Sequence, residues 1–165
     1  ERVFQPLGMS SSLYPDPDNH QFAGSNRGYS WNQETGEFVD KTEMNTSCAN
    51  AGGAIISTMA DLEIFVRALY QGILLSPETQ QYRLEAEVFA DAPDFMRYGE
   101  GILKFGEFYG HNGTIFGFSS EMYYLPAEDA VIIINVSRLD LDDVSQSGRV
   151  FGEVSRIVFP EYVSW

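Results

Sequence analysis

The chain of 165 residues carries two histidines and one cysteine. Imidazole and thiol chemistry therefore have few places to sit. His111 lies in Tyr109-Gly110-His111-Asn112-Gly113-Thr114-Ile115-Phe116-Gly117-Phe118-Ser119-Ser120, a stretch dense in glycine and bracketed by aromatic residues. An imidazole can take or give a proton near neutral pH, a carboxamide hydrogen-bonds in both directions, and glycine lets other backbone come close. A plainer reading competes with a site. Asn112-Gly113 is a strong two-residue hairpin signal, which would leave His111 exposed at a bend.

Other chemistry finds less support. His20 sits in turn-forming sequence with no ligand set around it, and two histidines with one cysteine at no close spacing do not make a zinc site. Asp16-Pro17-Asp18-Asn19 hints at a calcium loop, but the sixth position is not glycine and the twelfth is Arg27 rather than an acid. Gly117-Phe118-Ser119-Ser120-Glu121 approaches a nucleophile elbow but lacks the closing glycine, and a strand rather than a helix is expected after it. With 24 acidic residues, a pair of carboxylates is always available, so a glycosidase has no specific support. No metal and no cofactor is called for.

The elements that must position the His111 stretch are legible from periodicity. Glu1 to Leu7 reads as the end of a helix closed by Gly8. Ser10 to Asn50 is weakly periodic, with a small hairpin of Gly28–Asn32 and Glu37–Val39 about Glu34-Thr35-Gly36. Ser57 or Thr58 caps a helix whose Leu62, Phe65, Val66, Leu69 and Tyr70 recur at helical spacing up to Gly72. Ser76-Pro77-Glu78 opens a second helix, expected to run to about Val88. Strands follow at about Tyr98–Phe105, Glu107–His111, Phe118–Leu125 and Val131–Val136, an antiparallel meander. A last helix spans about Val144–Val158 before Pro160, its acidic start favourable to the helix dipole. These elements make one α+β domain over residues 1–165, an antiparallel sheet with flanking helices.

Composition narrows the partners. The formal net charge is −14, which disfavours nucleic acid and anionic membranes, since both demand a basic face. The most apolar run, Ala130 to Val136, has the length of a strand and not of a membrane span. Cys48 stands alone, so no internal disulfide is available.

Four stretches, in order, resemble the penicillin-recognising serine hydrolases, a superfamily of serine β-lactamases, D-alanyl-D-alanine carboxypeptidases, D-aminopeptidases and related esterases. Val3-Phe4-Gln5-Pro6-Leu7-Gly8-Met9 resembles a helix-ending F-x-P-L-G-M. Ala51-Gly52-Gly53 through Ser57-Thr58-Met59-Ala60-Asp61-Leu62 resembles a helix entry. His111-Asn112-Gly113 is similar to the third active-site motif, Lys-Thr-Gly or His-x-Gly. Gly117-Phe118-Ser119-Ser120 with Tyr124-Leu125-Pro126 resembles the following strand.

The resemblance implies a partial β-lactamase/transpeptidase-like fold, lacking the N-terminal strands and the helical region. It also implies roles. His111 would stand in for the motif's lysine near the catalytic hydroxyl or a substrate carboxylate. The backbone N–H of Thr114 would be one of two oxyanion donors. Asn112 would bind substrate through its amide, and Gly113 would keep the strand edge open, for a small-molecule or peptide-like acyl substrate. The family's nucleophile lies in Ser-x-x-Lys, and no such motif exists here: Phe38 and Gly101 stand three residues before Lys41 and Lys104. Tyr-x-Asn is absent too, and Ser30-Trp31-Asn32 falls after the Pro-Leu-Gly-Met segment, out of the family's order. The chain therefore reads as the C-terminal portion of a family enzyme, inactive alone, with a non-catalytic ligand-binding or assembly module as the alternative. The strand at 130–136 would present an apolar edge, expected to pair with a second copy or with an N-terminal complement.

Overall fold

A computed structural model describes residues 2–15, 26–85, 87–88 and 92–165, the side chains of 87 and 88 excepted. His20 and the Asp16–Asn19 turn lie outside the described residues. Helix α1 (Phe4–Leu7) ends on Gly8 in the left-handed conformation. Strands β1 (Tyr29–Asn32) and β2 (Glu37–Asp40) form the expected hairpin. Helix α2 (Met59–Gln71) starts at Thr58, whose side chain accepts from the Asp61 N–H, and closes on left-handed Gly72. Asp61, in the first turn of α2, is buried and accepts from the Ser11 N–H (2.9 Å) and Ser12 Oγ (2.7 Å). That carboxylate ties the Pro-Leu-Gly-Met segment to the start of α2, and Leu13 bridges Ile56 beside it.

Helix α3 (Pro77–Leu84) begins on a Ser76 cap as expected but stops four residues short of Val88, because residues 87–88 pair as strand β3 (Glu87–Val88). The expected single strand at 98–105 is two, β4 (Met96–Tyr98) and β5 (Leu103–Phe105), folded about Gly99–Ile102 with Gly101 at φ 71°. Strands β6 (Phe108–Ile115), β7 (Phe118–Leu125) and β8 (Ala130–Val136) complete a six-stranded antiparallel sheet in the order β3-β4-β5-β6-β7-β8. The short β9 (Arg138–Leu139) runs parallel to β1, with Tyr29 opposite Arg138. Helix α4 (Gln146–Val158) starts two residues later than the sequence suggests.

The sheet has two dressed faces. Phe108, Tyr123, Leu125 and Ile132 turn toward α4, where Phe151 packs edge-on to Phe108 (5.4 Å between centroids) and Trp165 stacks over Phe151. Burying one such aromatic is worth several kcal/mol, and truncating Phe151 to alanine would cost about 3–5 kcal/mol. Tyr109 and Tyr124 turn the other way and meet Tyr70 of α2 at 4.8 and 5.4 Å. No described helix is long and apolar enough to cross a membrane.

Candidate active-site edge

The hairpin that carries His111 does not turn at Asn112-Gly113. Pairing runs on through His111↔Met122, Asn112↔Glu121, Gly113↔Ser120 and Thr114↔Ser119 to Ile115↔Phe118. The loop is Phe116-Gly117, with φ 33° and 86°, the two positive values of a type I′ turn. A turn at 112–113 would have left β6 only four residues long. The loop's position is also held from outside. A Cβ on Gly117 would come within 2.5 Å of the Tyr29 nitrogen, and one on Gly28 within 2.4 Å of the Phe118 ring, so the hairpin tip is docked on the start of β1. His111 is thus a half-buried strand residue and not a residue at a bend.

Strand β6 outruns its neighbour. β5 pairs only with Phe108, Tyr109 and Gly110, so among the described residues nothing pairs with the outer edge of residues 111–115. The two-residue loop fixes which groups face that edge. In a type I′ hairpin the flanking pair, Ile115 and Phe118, exchanges both ladder bonds, and the pattern alternates along the strand. Gly113 and His111 therefore bond to β7. The backbone N–H and C=O of Asn112 and Thr114 point outward to the unpaired edge. Asn112, Gly113 and Thr114 are exposed, and a Cβ on Gly113 would meet nothing within 4 Å.

The His111 ring closes over this edge. Its Nδ1 lies 2.6 Å from the Asn112 carbonyl oxygen, and its Nε2 lies 3.0 Å from the Tyr98 hydroxyl. The Tyr98 and His111 rings meet edge-on at 5.5 Å. Side-chain alternation splits the expected site residues. His111 and Gly113 share the α2 side of β6, whereas the Asn112 and Thr114 side chains lie on the α4 side. The Asn112 amide thus projects from the opposite face to His111. Ser30-Trp31-Asn32 takes no part: Asn32 Oδ1 accepts from the Glu34 N–H (2.9 Å) in the β1–β2 turn.

On the α4 face, directly behind Asn112 and Thr114, is a polar cluster that the sequence did not single out. Ser147 Oγ of α4 donates to Glu121 Oε1 (2.9 Å), and Ser119 Oγ donates in turn to Ser147 Oγ (2.5 Å). Ser119, Glu121 and Ser147 are all buried. Burial pushes the Glu121 carboxyl above its ordinary range, opposed by the bonds it accepts from Ser147 and Tyr123. Burial and the adjacent Glu121 raise the Tyr123 phenol as well. Ser119, the centre of the near-elbow, is consumed in this packing. The only signal in the sequence was the period-2 alternation that sends 119, 121 and 123 to one face.

The family follows from comparison. The chain belongs to the β-lactamase family, whose sequence model matches residues 1–151. A solved D-stereospecific amidohydrolase from Streptomyces sp. is 27% identical, with a TM-score of 0.75 over 82% of this chain and 42% of its own. The D-amino acid amidase from Ochrobactrum anthropi SV3, solved with D-phenylalanine, is 26% identical, with a TM-score of 0.77 over 96% of this chain and 49% of its own. A penicillin-binding protein from Bacillus halodurans, 21% identical, shares the fold at a TM-score of 0.65 over 91% of this chain and 47% of its own. The chain spans about half the length of these proteins. The fold is accordingly a partial β-lactamase/transpeptidase-like one, and the affiliation is to a hydrolase family with relatives of the D-amino acid amidase kind.

Proposed function

We propose that this chain supplies the substrate-edge wall of a serine hydrolase that cleaves amides or esters through an acyl-enzyme, with a D-amino acid amide or D-Ala-D-Ala-like group as the acyl donor. The observation that carries this is the unpaired edge of β6 at residues 111–115, with free space at Gly113 and the Thr114 N–H directed outward. A substrate backbone can add to that edge as a further strand. The Thr114 N–H then serves as one oxyanion donor, and His111 is the polar group at its rim. Asn112 lends its backbone to the same edge, while its side chain serves the opposite face.

The attacking serine belongs to polypeptide other than these 165 residues, since no Ser-x-x-Lys is present. The chain alone is therefore inert. Support for a complementing strand comes from the far side of the sheet. β8 is the terminal strand, apolar through Ala130–Ile134, and a cleft of about 260 Å³ lined by Met59, Ala60, Glu63, Val131 and Ile133 lies beside it. Either a second copy or an N-terminal complement can pair there.

Two measurements test the reading. A fluorophosphonate probe and a β-lactam should leave the isolated chain unlabelled; stoichiometric acylation of any serine here overturns the assignment of the nucleophile elsewhere. Titration with D-phenylalanine amide and with a D-Ala-D-Ala peptide should shift the backbone amide resonances of residues 111–114. If neither ligand moves them at millimolar concentration, the edge is not a substrate wall.

A further inference from the structure

The loop that ends the open edge carries a side chain that its backbone does not favour. Phe116 holds the first position of the type I′ turn at φ 33°. Among the described residues the other non-glycine positions with positive φ are Asn50 and Asp129, whose short polar side chains tolerate it; a bulky side chain there is strained. The loop cannot shift to relieve that strain, because Gly117 and Phe118 are docked against Gly28 and Tyr29. Nor does the ring join the packing of the sheet, since Phe116 is half-buried and outside the core cluster under α4. The fold therefore holds an aromatic side chain in place where asparagine would suit the backbone better.

Its place along the strand says what it meets. The open positions of β6 lie in line with β5, which runs antiparallel to β6. A ligand that continues that line runs from the Ile115 end toward His111. With its reacting carbonyl at the outward N–H of Thr114, its leaving group lies on the His111 side. The α-carbon of the acyl residue then lies on the Phe116 side. Phe116 is two residues beyond Thr114, about 7 Å at the rise of a strand.

We propose that Phe116 is a specificity-determining residue of this site, an aromatic end wall that selects a large apolar side chain on the acyl residue. The inference rests on the reading of the β6 edge as a substrate wall. A ring already fixed by its loop loses little freedom on binding, so apolar contact with it adds to affinity almost undiminished. A methyl side chain on the acyl residue is too short to use that contact.

The test titrates D-phenylalanine amide and D-alanine amide against the nitrogen-15-labelled chain, read at the backbone amides of residues 111–114. It compares the parent with Phe116→Asn, which suits the turn. The parent should bind D-phenylalanine amide about tenfold more tightly than D-alanine amide. In Phe116→Asn that ratio should fall to about threefold or less, chiefly through weaker binding of D-phenylalanine amide. A ratio near one in the parent, or one unmoved by the substitution, overturns the proposal. Urea unfolding without ligand separates an end wall from a structural prop. Asparagine relieves the strain and so offsets the burial lost with the ring, and the folded-to-unfolded ratio should hold within about threefold. A loss beyond about tenfold would make Phe116 a packing residue and overturn its role. If neither amide moves residues 111–114 of the parent, the substrate wall itself fails and this role with it; binding of both amides at a ratio that the substitution leaves alone refutes only the role of Phe116.

Discussion

Among the described residues the runs on β6 and β8 that lack a ladder partner differ in chemistry. On β6 the open run is His-Asn-Gly-Thr-Ile, polar and exposed over its middle three residues. On β8 it is Ala-Val-Ile-Ile-Ile-Asn-Val, apolar for five residues with Ile132 in the core. Both leave backbone donors and acceptors without a ladder partner. An edge of the second kind is a hazard unless another strand covers it, since apolar side chains on both faces add burial to the backbone bonds. An edge of the first kind offers little apolar area, so it holds a ligand only by its hydrogen bonds and lets it leave. On the proposed reading the β6 edge would take a small-molecule substrate and the β8 edge would take a covering strand.

The largest expected effect falls where β6 is closed rather than open. A Cβ on Gly110 would lie 1.8 Å from the Met122 carbonyl oxygen, and that atom belongs to backbone. Gly110→Ala should therefore cost ~3 kcal/mol or more, at the upper end of overpacking penalties. Urea unfolding measures it, and a loss below ~1 kcal/mol would mean that β6 and β7 are less tightly joined than their register implies. Next comes the β8 edge. Ile133→Lys places a charge beside the cleft at Glu63 and blunts the edge. The parent chain should associate in a concentration-dependent way in sedimentation. The variant should weaken that association by about tenfold or more, which is ~1.4 kcal/mol. A parent that stays monomeric at every concentration, alone and with an N-terminal complement, would remove the distinction between the two edges.

Most of the architecture was legible because it follows from local signals. The Thr58 and Ser76 caps, the apolar stripe of α2 and the turn residues at 33–36 all act within a few positions, and each element formed where they said. The misplacements share a cause in distant contacts. Asn112-Gly113 has the better intrinsic turn chemistry, yet Phe116-Gly117 takes the turn. There the alternation of Ser119, Glu121 and Tyr123 meets α4, and the hairpin tip meets Gly28, some 90 residues away in sequence. Residues 87–88 left the helix for a ladder with Arg97 and Tyr98. The Tyr98–His111 contact and the Ser119–Ser147–Glu121 chain were invisible because each joins separate elements through side chains that carry no motif. His111 itself was found by motif resemblance; periodicity alone would have placed it in a turn.

Behind the polar edge, Glu121 is a buried acid with hydroxyl partners and, among the described residues, no cation in its bonds. Its folded-state affinity for a proton exceeds the unfolded one. The contribution to stability is therefore full below the ordinary glutamate value of 4.5 and declines as pH rises from there through the raised folded value. Glu121→Gln keeps an acceptor for Ser147 and removes the ionisation. Its unfolding free energy should be flatter between pH 4.5 and 8 than that of the parent, with the gain in stability largest at the alkaline end. A parallel pair of pH profiles would show that Glu121 is neutralised by something else and that the α4 face is not the quiet side of the hairpin.

The smallest expected effect on the fold is also the sharpest test of the β6 edge. Gly113 has ordinary strand geometry, and a Cβ there points into open space. Gly113→Ala should change stability by no more than ~0.5 kcal/mol, the range of surface substitutions. If a ligand lies along this edge with a side group over the α2 side of β6, the added methyl meets that group, and binding of D-phenylalanine amide should fall by about tenfold or more, ~1.4 kcal/mol. Gly110 and Gly113 are three residues apart on one strand, so the same substitution separates a glycine needed by the protein from one needed by its ligand. Unchanged binding in Gly113→Ala would mean that the open backbone is merely uncovered.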